Sequence, residues 1–182
     1  RRASELGAQV VLFSSEPGLP YFRPRVVALA FGQVELAGIC LRPQQWYREH
    51  GIDLRLNSEV IHIDAHAKAV TAGGREETFD GLVIATGAAP VLLAFVQKFP
   101  DEVIPLWGVK ESLAIRDRLS GTRHLLILGG GISGVESALY AREAGLDVTM
   151  VEKMDRVMSQ QLGPGAAGVL TRRLQKAGVN VV

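Results

Sequence analysis

Three glycines, Gly129, Gly131 and Gly134, stand in the spacing G-x-G-x-x-G, and Glu152 follows eighteen residues after the last of them. These residue types at this spacing suit the binding of a dinucleotide. Gly129 permits a tight turn, Gly131 lets the backbone approach a pyrophosphate, and Gly134 lets a following helix pack close. Ile132 and Ser133 lie among them, where helix amides and the positive end of the helix dipole favour phosphate. Glu152 can accept hydrogen bonds from both hydroxyls of an adenosine ribose and repels a 2′-phosphate, which favours NADH over NADPH. Lys153 and Arg156 follow closely and leave room for a phosphate, so NADPH stays open.

Such a site needs elements to hold it. His124–Leu128 is a continuous apolar run of buried parallel-strand type. Helix formers predict a helix from Ser133 to Ala144 that Gly145 ends, and β-branched residues predict a strand over Asp147–Val151. A lone G-x-G-x-x-G also describes a turn of no consequence. Here the strand before it, the helix after it and an acid-ended second strand are all present.

A half-copy of the pattern lies upstream. LGAQVVLFSSEPG (residues 6–18) repeats the glycine-ended helix, β-branched strand and glutamate of AGLDVTMVEK (residues 144–153), with Glu16 in the place of Glu152. Between the copies, Glu59–Asp64, Lys68–Ala72 and Glu76–Phe79 alternate apolar and polar residues, and Ala65-His66 and Gly73-Gly74 separate them. This predicts an antiparallel meander. LVIATG (82–87) reads as an apolar strand closed by a small-residue turn, with Thr86 and Gly87 either an ordinary turn or a backbone lying against a cofactor.

Composition narrows the classes. Lys+Arg 20 against Asp+Glu 19 gives no basic stripe for nucleic acid or an anionic membrane, and small molecules are the expected ligands. The longest apolar run, residues 82–96, contains Thr86, Gly87 and Pro90 and is too short to span a bilayer. Cys40 is the single cysteine, so no internal disulfide or Cys-x-x-Cys pair exists; a reducing, cytoplasmic setting is expected. Its apolar neighbours suggest a buried filler. His50, His62, His66 and His124 lack metal-ligand spacing, and no metal is expected. The chain opens on Arg1 as though inside a helix and closes as it enters a strand after Gly178, so a fragment lacking pieces at both ends is expected.

With SEPGLPYFRPRV (15–26), WYREHGIDLRLNSEVIHID (46–64), TFDGLVIATGAAP (78–90), LILGGGISGVE (126–136) and GLDVTMVEKMDRVMSQQLG (145–163) in hand, the chain resembles the pyridine nucleotide-disulfide oxidoreductases. Within these two-dinucleotide flavoproteins it is most similar to NAD(P)H-dependent rubredoxin and ferredoxin reductases and to the flavin region of nitrite reductases. The resemblance implies an α/β fold of two Rossmann-like units, one for FAD and one for NAD(P)H, the first truncated at its N-terminus and carrying the meander. It implies a partial FAD domain over 1–95, a connection over 96–120 and an NAD(P)H domain over 121–182. Glu16 would hold the FAD ribose, Arg23 the flavin nucleotide, Val60 the adenine through its backbone, and Thr86 with Gly87 would close over the FAD. Glu136 matches the family's helix glutamate near the nicotinamide, although a glutamate in a first helical turn also serves the dipole. Without the resemblance Arg23 is a solvated loop charge before Pro24; Val60 is expected in the core on either reading.

Departures from the family's pattern bear on function. The lysine of RP-x-LSK aligns with Ala28, the arginine after A-T-G-x-x-P with Val91, and the redox cysteine of coenzyme A disulfide reductases with Pro17. The implied activity is hydride transfer from NADH to FAD, then electron delivery to a rubredoxin- or ferredoxin-like protein, a nitrite reductase centre or a small molecule, without a redox-active disulfide. The resemblance alone implies a homodimeric full-length parent. Two rival readings are a non-catalytic dinucleotide-binding module, with Ala28 and Val91 as eroded flavin contacts, and a dehydrogenase acting on a carbon substrate. The latter lacks a candidate acid or base and explains neither the meander nor the repeat.

Overall fold

The computed structural model describes residues 7–100 and 102–182, and the helix tail expected before Gly7 lies outside them. The elements run β1 (Val10–Phe13), α1 (Val26–Ala30), α2 (Gln44–Glu49), β2 (Ile52–Arg55), β3 (Val60–Asp64), β4 (Ala69–Ala72), β5 (Arg75–Thr78), α3 (Val109–Leu119), β6 (His124–Leu128), α4 (Ile132–Glu143), β7 (Asp147–Val151), α5 (Pro164–Lys176) and β8 (Val179–Val181). They divide into two compact units, residues 1–22 with 40–88, and residues 23–39 with 89–182.

The first unit holds a parallel pair and the meander. β1 pairs with β2 in register from Val10↔Ile52 to Phe13↔Arg55. Arg55 fastens that pair to the meander: its guanidinium donates to Asp53 and, across to β5, to Glu77, and lies 5.3 Å from the centre of the Phe13 ring. α2 packs along β2 and buries Tyr47. The β3–β4–β5 order is antiparallel throughout. Its turns follow from residue type. Asp64 Oδ1 accepts the amides of His66 and Ala67, and Gly73 and Gly74 both take positive φ, the pair of conformations that a two-residue hairpin requires.

The apolar strand expected over 82–87 is not formed. Residues 82–87 have no regular structure, and Val83 and Ile84 are 88% and 65% exposed. A strand requires a neighbour for its amides and carbonyls, and none of the described strands pairs with this one. The turn expected at its end is not formed either, although Gly87 there takes φ 70°.

The second unit is built on a parallel sheet of order β6-β7-β8. α4 and α5 are its two crossovers, and both pack on the sheet. Val148, Met150 and Val179 face them and are buried, with Leu125, Ile127 and Val181 packed alongside. Met150 and Leu174 keep no exposed surface, and such side chains contribute about 2 kcal/mol each by burial. The expectation of a strand buried on both faces fails for β6. It is an outer strand of the three, and Leu126 and Leu128 on its alternate positions are 58% and 41% exposed.

All five residues of α1 are buried. A helix that short does not persist alone, and α1 is held by packing on α3 and α4. Arg116 of α3 adds two hydrogen bonds to the Glu35 carboxylate. Arg142, near the end of α4, donates to the carbonyls of Leu146 and Ala177 and so clamps the ends of both crossover helices together.

Candidate nucleotide-binding site

The glycine turn begins where β6 stops. Gly129 takes φ 111°, which a residue with a Cβ rarely adopts, and its amide donates to Val151 at 2.8 Å, tying the turn to β7. A Cβ on Gly134 would overlap the Gly129 carbonyl oxygen, so the first turn of α4 approaches the loop only because Gly134 has none. Gly131 is the N-cap of α4 and faces open space, and no side chain caps the helix. The first amides of α4, including those of Ile132 and Ser133, lack intrahelical acceptors and stand where a phosphate can take them. These residues fit a pyrophosphate: backbone donors are gathered at a helix end, and the space a Cβ would fill is left clear.

Glu152 follows β7 directly and reaches back to the turn. Its Oε2 accepts the Gly130 amide at 2.6 Å and its Oε1 accepts the Met154 amide at 2.8 Å. A carboxylate offers about four acceptor positions. Each oxygen therefore retains capacity for a ribose hydroxyl. Glu152 also lines an open cleft of about 530 Å³ with Arg156, Val157, Pro164, Thr171 and Val182.

Arg156, which the sequence leaves as a possible phosphate partner, is committed to its own loop. Its Nη1 donates to both Asp155 oxygens at 2.8 and 2.7 Å, its Nε to the Leu162 carbonyl and its Nη2 to the Ser159 carbonyl, both at 3.3 Å. A 2′-phosphate would have to displace these bonds to recruit it.

Glu136 lies in the second turn of α4, because the helix starts at Ile132, one residue before the expected Ser133. Its expected first-turn position is corrected accordingly, and dipole stabilisation, which fades beyond the first turn, loses force as its explanation. Four residues on along the same helix stands the Tyr140 phenol, which feels its charge. Burial pushes that phenol above its ordinary value, and the Glu136 carboxylate pushes it further. Ala28 is buried in α1 and carries no charge. Arg23 donates to the Trp107 carbonyl at 2.9 Å, with its guanidinium 5.6 Å from the Trp107 ring centre.

The remaining expected residues belong to the first unit. Glu16 comes after β1 beyond Ser14 and Ser15, whereas Glu152 follows β7 directly; it is half-buried and accepts from the Tyr21 hydroxyl at 3.3 Å. Val60 opens β3, half-buried and paired with Ala72. Thr86 and Gly87 are exposed in the irregular stretch after the meander. Cys40 is half-buried rather than a buried filler, because its segment pairs with Tyr21 through a single backbone bridge at the surface of that unit. Among the described residues, no group of three His, Cys, Asp or Glu side chains could hold a metal.

Three residues at these sites escaped the sequence reading. Gly130 sits at an x of the motif, so the spacing ignores it, although the unbroken run Gly129-Gly130-Gly131 was a usable signal. Tyr140 was signalled by its i+4 spacing from Glu136. Tyr21 acts through a loop of irregular geometry, where no periodicity applies.

Strand, glycine turn, helix and acid-ended second strand, joined by parallel pairing, define a Rossmann-type α/β unit. The whole chain belongs to the family of pyridine nucleotide-disulphide oxidoreductases, whose profile matches residues 1–182. It is 32% identical over 170 residues to a rubredoxin-NAD(+) reductase of Pseudomonas putida, covering 92% of this chain and 44% of that protein. It is 30% identical over 181 residues to the ferredoxin--NAD(+) reductase component of the p-cumate 2,3-dioxygenase system of the same species, covering 99% of this chain and 45% of that one. Among solved structures, the ferredoxin reductase for the CYP199A2 system of Rhodopseudomonas palustris superposes with a TM-score of 0.91 at 27% identity, over 100% of this chain and 45% of the other. The chain thus spans less than half the length of these relatives. Among the described residues no helix is long and apolar enough to cross a membrane.

Proposed function

We propose that this chain supplies the NADH-binding unit and part of the FAD-binding unit of a reductase that passes hydride from NADH to FAD and electrons onward to a small iron protein of rubredoxin or ferredoxin type. The cytoplasm is the proposed setting, in keeping with the single cysteine. The observation that carries the reading is the Glu152 carboxylate drawn to the glycine turn by the Gly130 amide at 2.6 Å, beside an uncapped helix end. In this reading the amides around Gly131, Ile132 and Ser133 hold the pyrophosphate, while Glu152 takes the adenosine ribose diol. Glu136 lies toward the nicotinamide, one helical turn before Tyr140. In the first unit Glu16 holds the FAD ribose, Val60 meets the adenine, and Thr86 and Gly87 cover the cofactor. Arg23 contributes charge toward the flavin nucleotide. The nicotinamide and flavin supply the redox chemistry, and the protein's contribution is binding and alignment.

The names of the relatives support a protein acceptor, since two of them are reductases of rubredoxin or ferredoxin by name. The test is an anaerobic titration of the FAD-loaded full-length protein with NADH and NADPH. Loss of the oxidised flavin band with NADH in preference to NADPH is expected, and Glu152→Ala should narrow that preference. A flavin that stays oxidised with NADH bound would select the non-catalytic module instead.

A further inference from the structure

The residue between the first two motif glycines is held from three sides. Its amide donates to Glu152 Oε2 at 2.6 Å and its carbonyl accepts the Met158 amide at 2.8 Å. A Cβ there would stand 3.1 Å from Glu152 Oε2, 3.1 Å from Val157 Cγ1 and 3.3 Å from Glu152 Cβ. Its φ is not positive, so alanine meets no backbone strain, and only these neighbours oppose it.

Which neighbour gives way decides the consequence. Val157 is 1% exposed and packed into the core, so its methyl has nowhere to go. The Glu152 Cβ is fixed by the backbone at the end of β7. The carboxylate end of Glu152 is half-buried at the mouth of an open cleft and can swing away by side-chain rotation. Of the three contacts, the one that side-chain rotation can relieve is the carboxylate's, and relieving it moves the group that would meet a ribose.

We propose that Gly130 is a positioning residue that sets the NADH preference of the site, its amide and its missing side chain together placing the Glu152 carboxylate for an adenosine ribose diol. The inference rests on reading the glycine turn as the NADH site. Gly130 touches no nucleotide in this account. It acts through Glu152, so its replacement is expected to harm NADH selectively and to do so only while Glu152 is present. A residue of merely structural importance would weaken both nucleotides alike.

The experiment compares NADH and NADPH dissociation constants, by calorimetry, for the 182-residue chain, Gly130→Ala, Glu152→Ala and the double variant. Gly130→Ala is expected to weaken NADH about tenfold, the scale of one charge-assisted hydrogen bond, while leaving NADPH within about twofold. In the Glu152→Ala background the same replacement should leave the ratio unchanged. Equal weakening of both nucleotides, or the same loss with Glu152 absent, overturns the proposal. Should Gly130→Ala fold poorly, Gly130→Ala/Val157→Ala removes the Val157 contact and retains the carboxylate contact, and the selective loss should persist; its disappearance also overturns the proposal. An unsubstituted chain that binds neither nucleotide overturns the NADH reading itself.

Discussion

Gly134 packs so closely on Gly129 that a Cβ on the helix residue would overlap the carbonyl oxygen of the turn residue. The obstacle is backbone rather than the end of a flexible side chain, so α4 itself must move. Gly134→Ala is expected to cost about 1–3 kcal/mol, and Gly134→Val more. Urea denaturation measures the loss, and NADH binding should weaken in parallel as the helix amides leave the turn. An unchanged denaturation midpoint in both variants would show that the helix can sit farther out at no cost.

Arg142 offers a contrast between stability and binding. Its bonds to the carbonyls of Leu146 and Ala177 lie at the end of α4 away from the turn. Arg142→Ala should destabilise the chain by about 1–2 kcal/mol and leave the NADH dissociation constant within about twofold. Arg142→Lys should recover only part of the stability, because one ammonium cannot span both carbonyls as the guanidinium fork does. Paired denaturation and calorimetry on the same samples check both halves.

The pH dependence on the alkaline side follows from two phenols. Burial raises Tyr47, with Cys40 adding to it, and burial raises Tyr140, with Glu136 adding to it. A folded value above the unfolded one means that the folded state binds the proton more tightly. The resulting stability is fully present below the unfolded tyrosine value of about 10 and is lost as the pH climbs through the raised folded values. Thermal melts from pH 9 upward should show this decline, flattened in a Tyr47→Phe/Tyr140→Phe variant. In Glu136→Gln, the Tyr140 phenol should titrate at lower pH by ultraviolet absorbance, whereas an unmoved titration would show that the Glu136 charge does not act on it.

Arg156 tests whether the loop after β7 can serve a phosphate. Its guanidinium is held by Asp155 and by two carbonyls of its own loop. Arg156→Ala should therefore leave NADPH affinity within about twofold of its starting value, a change too small for a lost phosphate contact. A selective fall in NADPH binding would show that the loop opens to let this side chain reach a 2′-phosphate.

What could be read from sequence was decided within a few residues. The glycine spacing, the Ala65-His66 and Gly73-Gly74 turns, the acid after each β-branched strand and the stop at Gly145 all rest on local sterics and local hydrogen bonds. Glu16 and Glu152 were found in this way, and both follow parallel strands. The departures arose where a neighbour had to be supplied. LVIATG has every local mark of a strand, yet no described strand pairs with it. β6 reads as buried, yet no described strand lies on its outer edge and its alternate leucines face outward. Glu136 changed meaning through a one-residue shift in the helix start, which depends on how the turn closes.

The sequence by itself determined that this chain carries a G-x-G-x-x-G turn between a strand and a helix, with an acid eighteen residues beyond, because missing side chains and backbone freedom are properties of the residues themselves. Only the tertiary structure decided that Gly130 holds the carboxylate and that Arg156 is spent on its own loop. Those are relations between atoms brought together by packing and closed by distances of a few ångströms, and no single residue type encodes them.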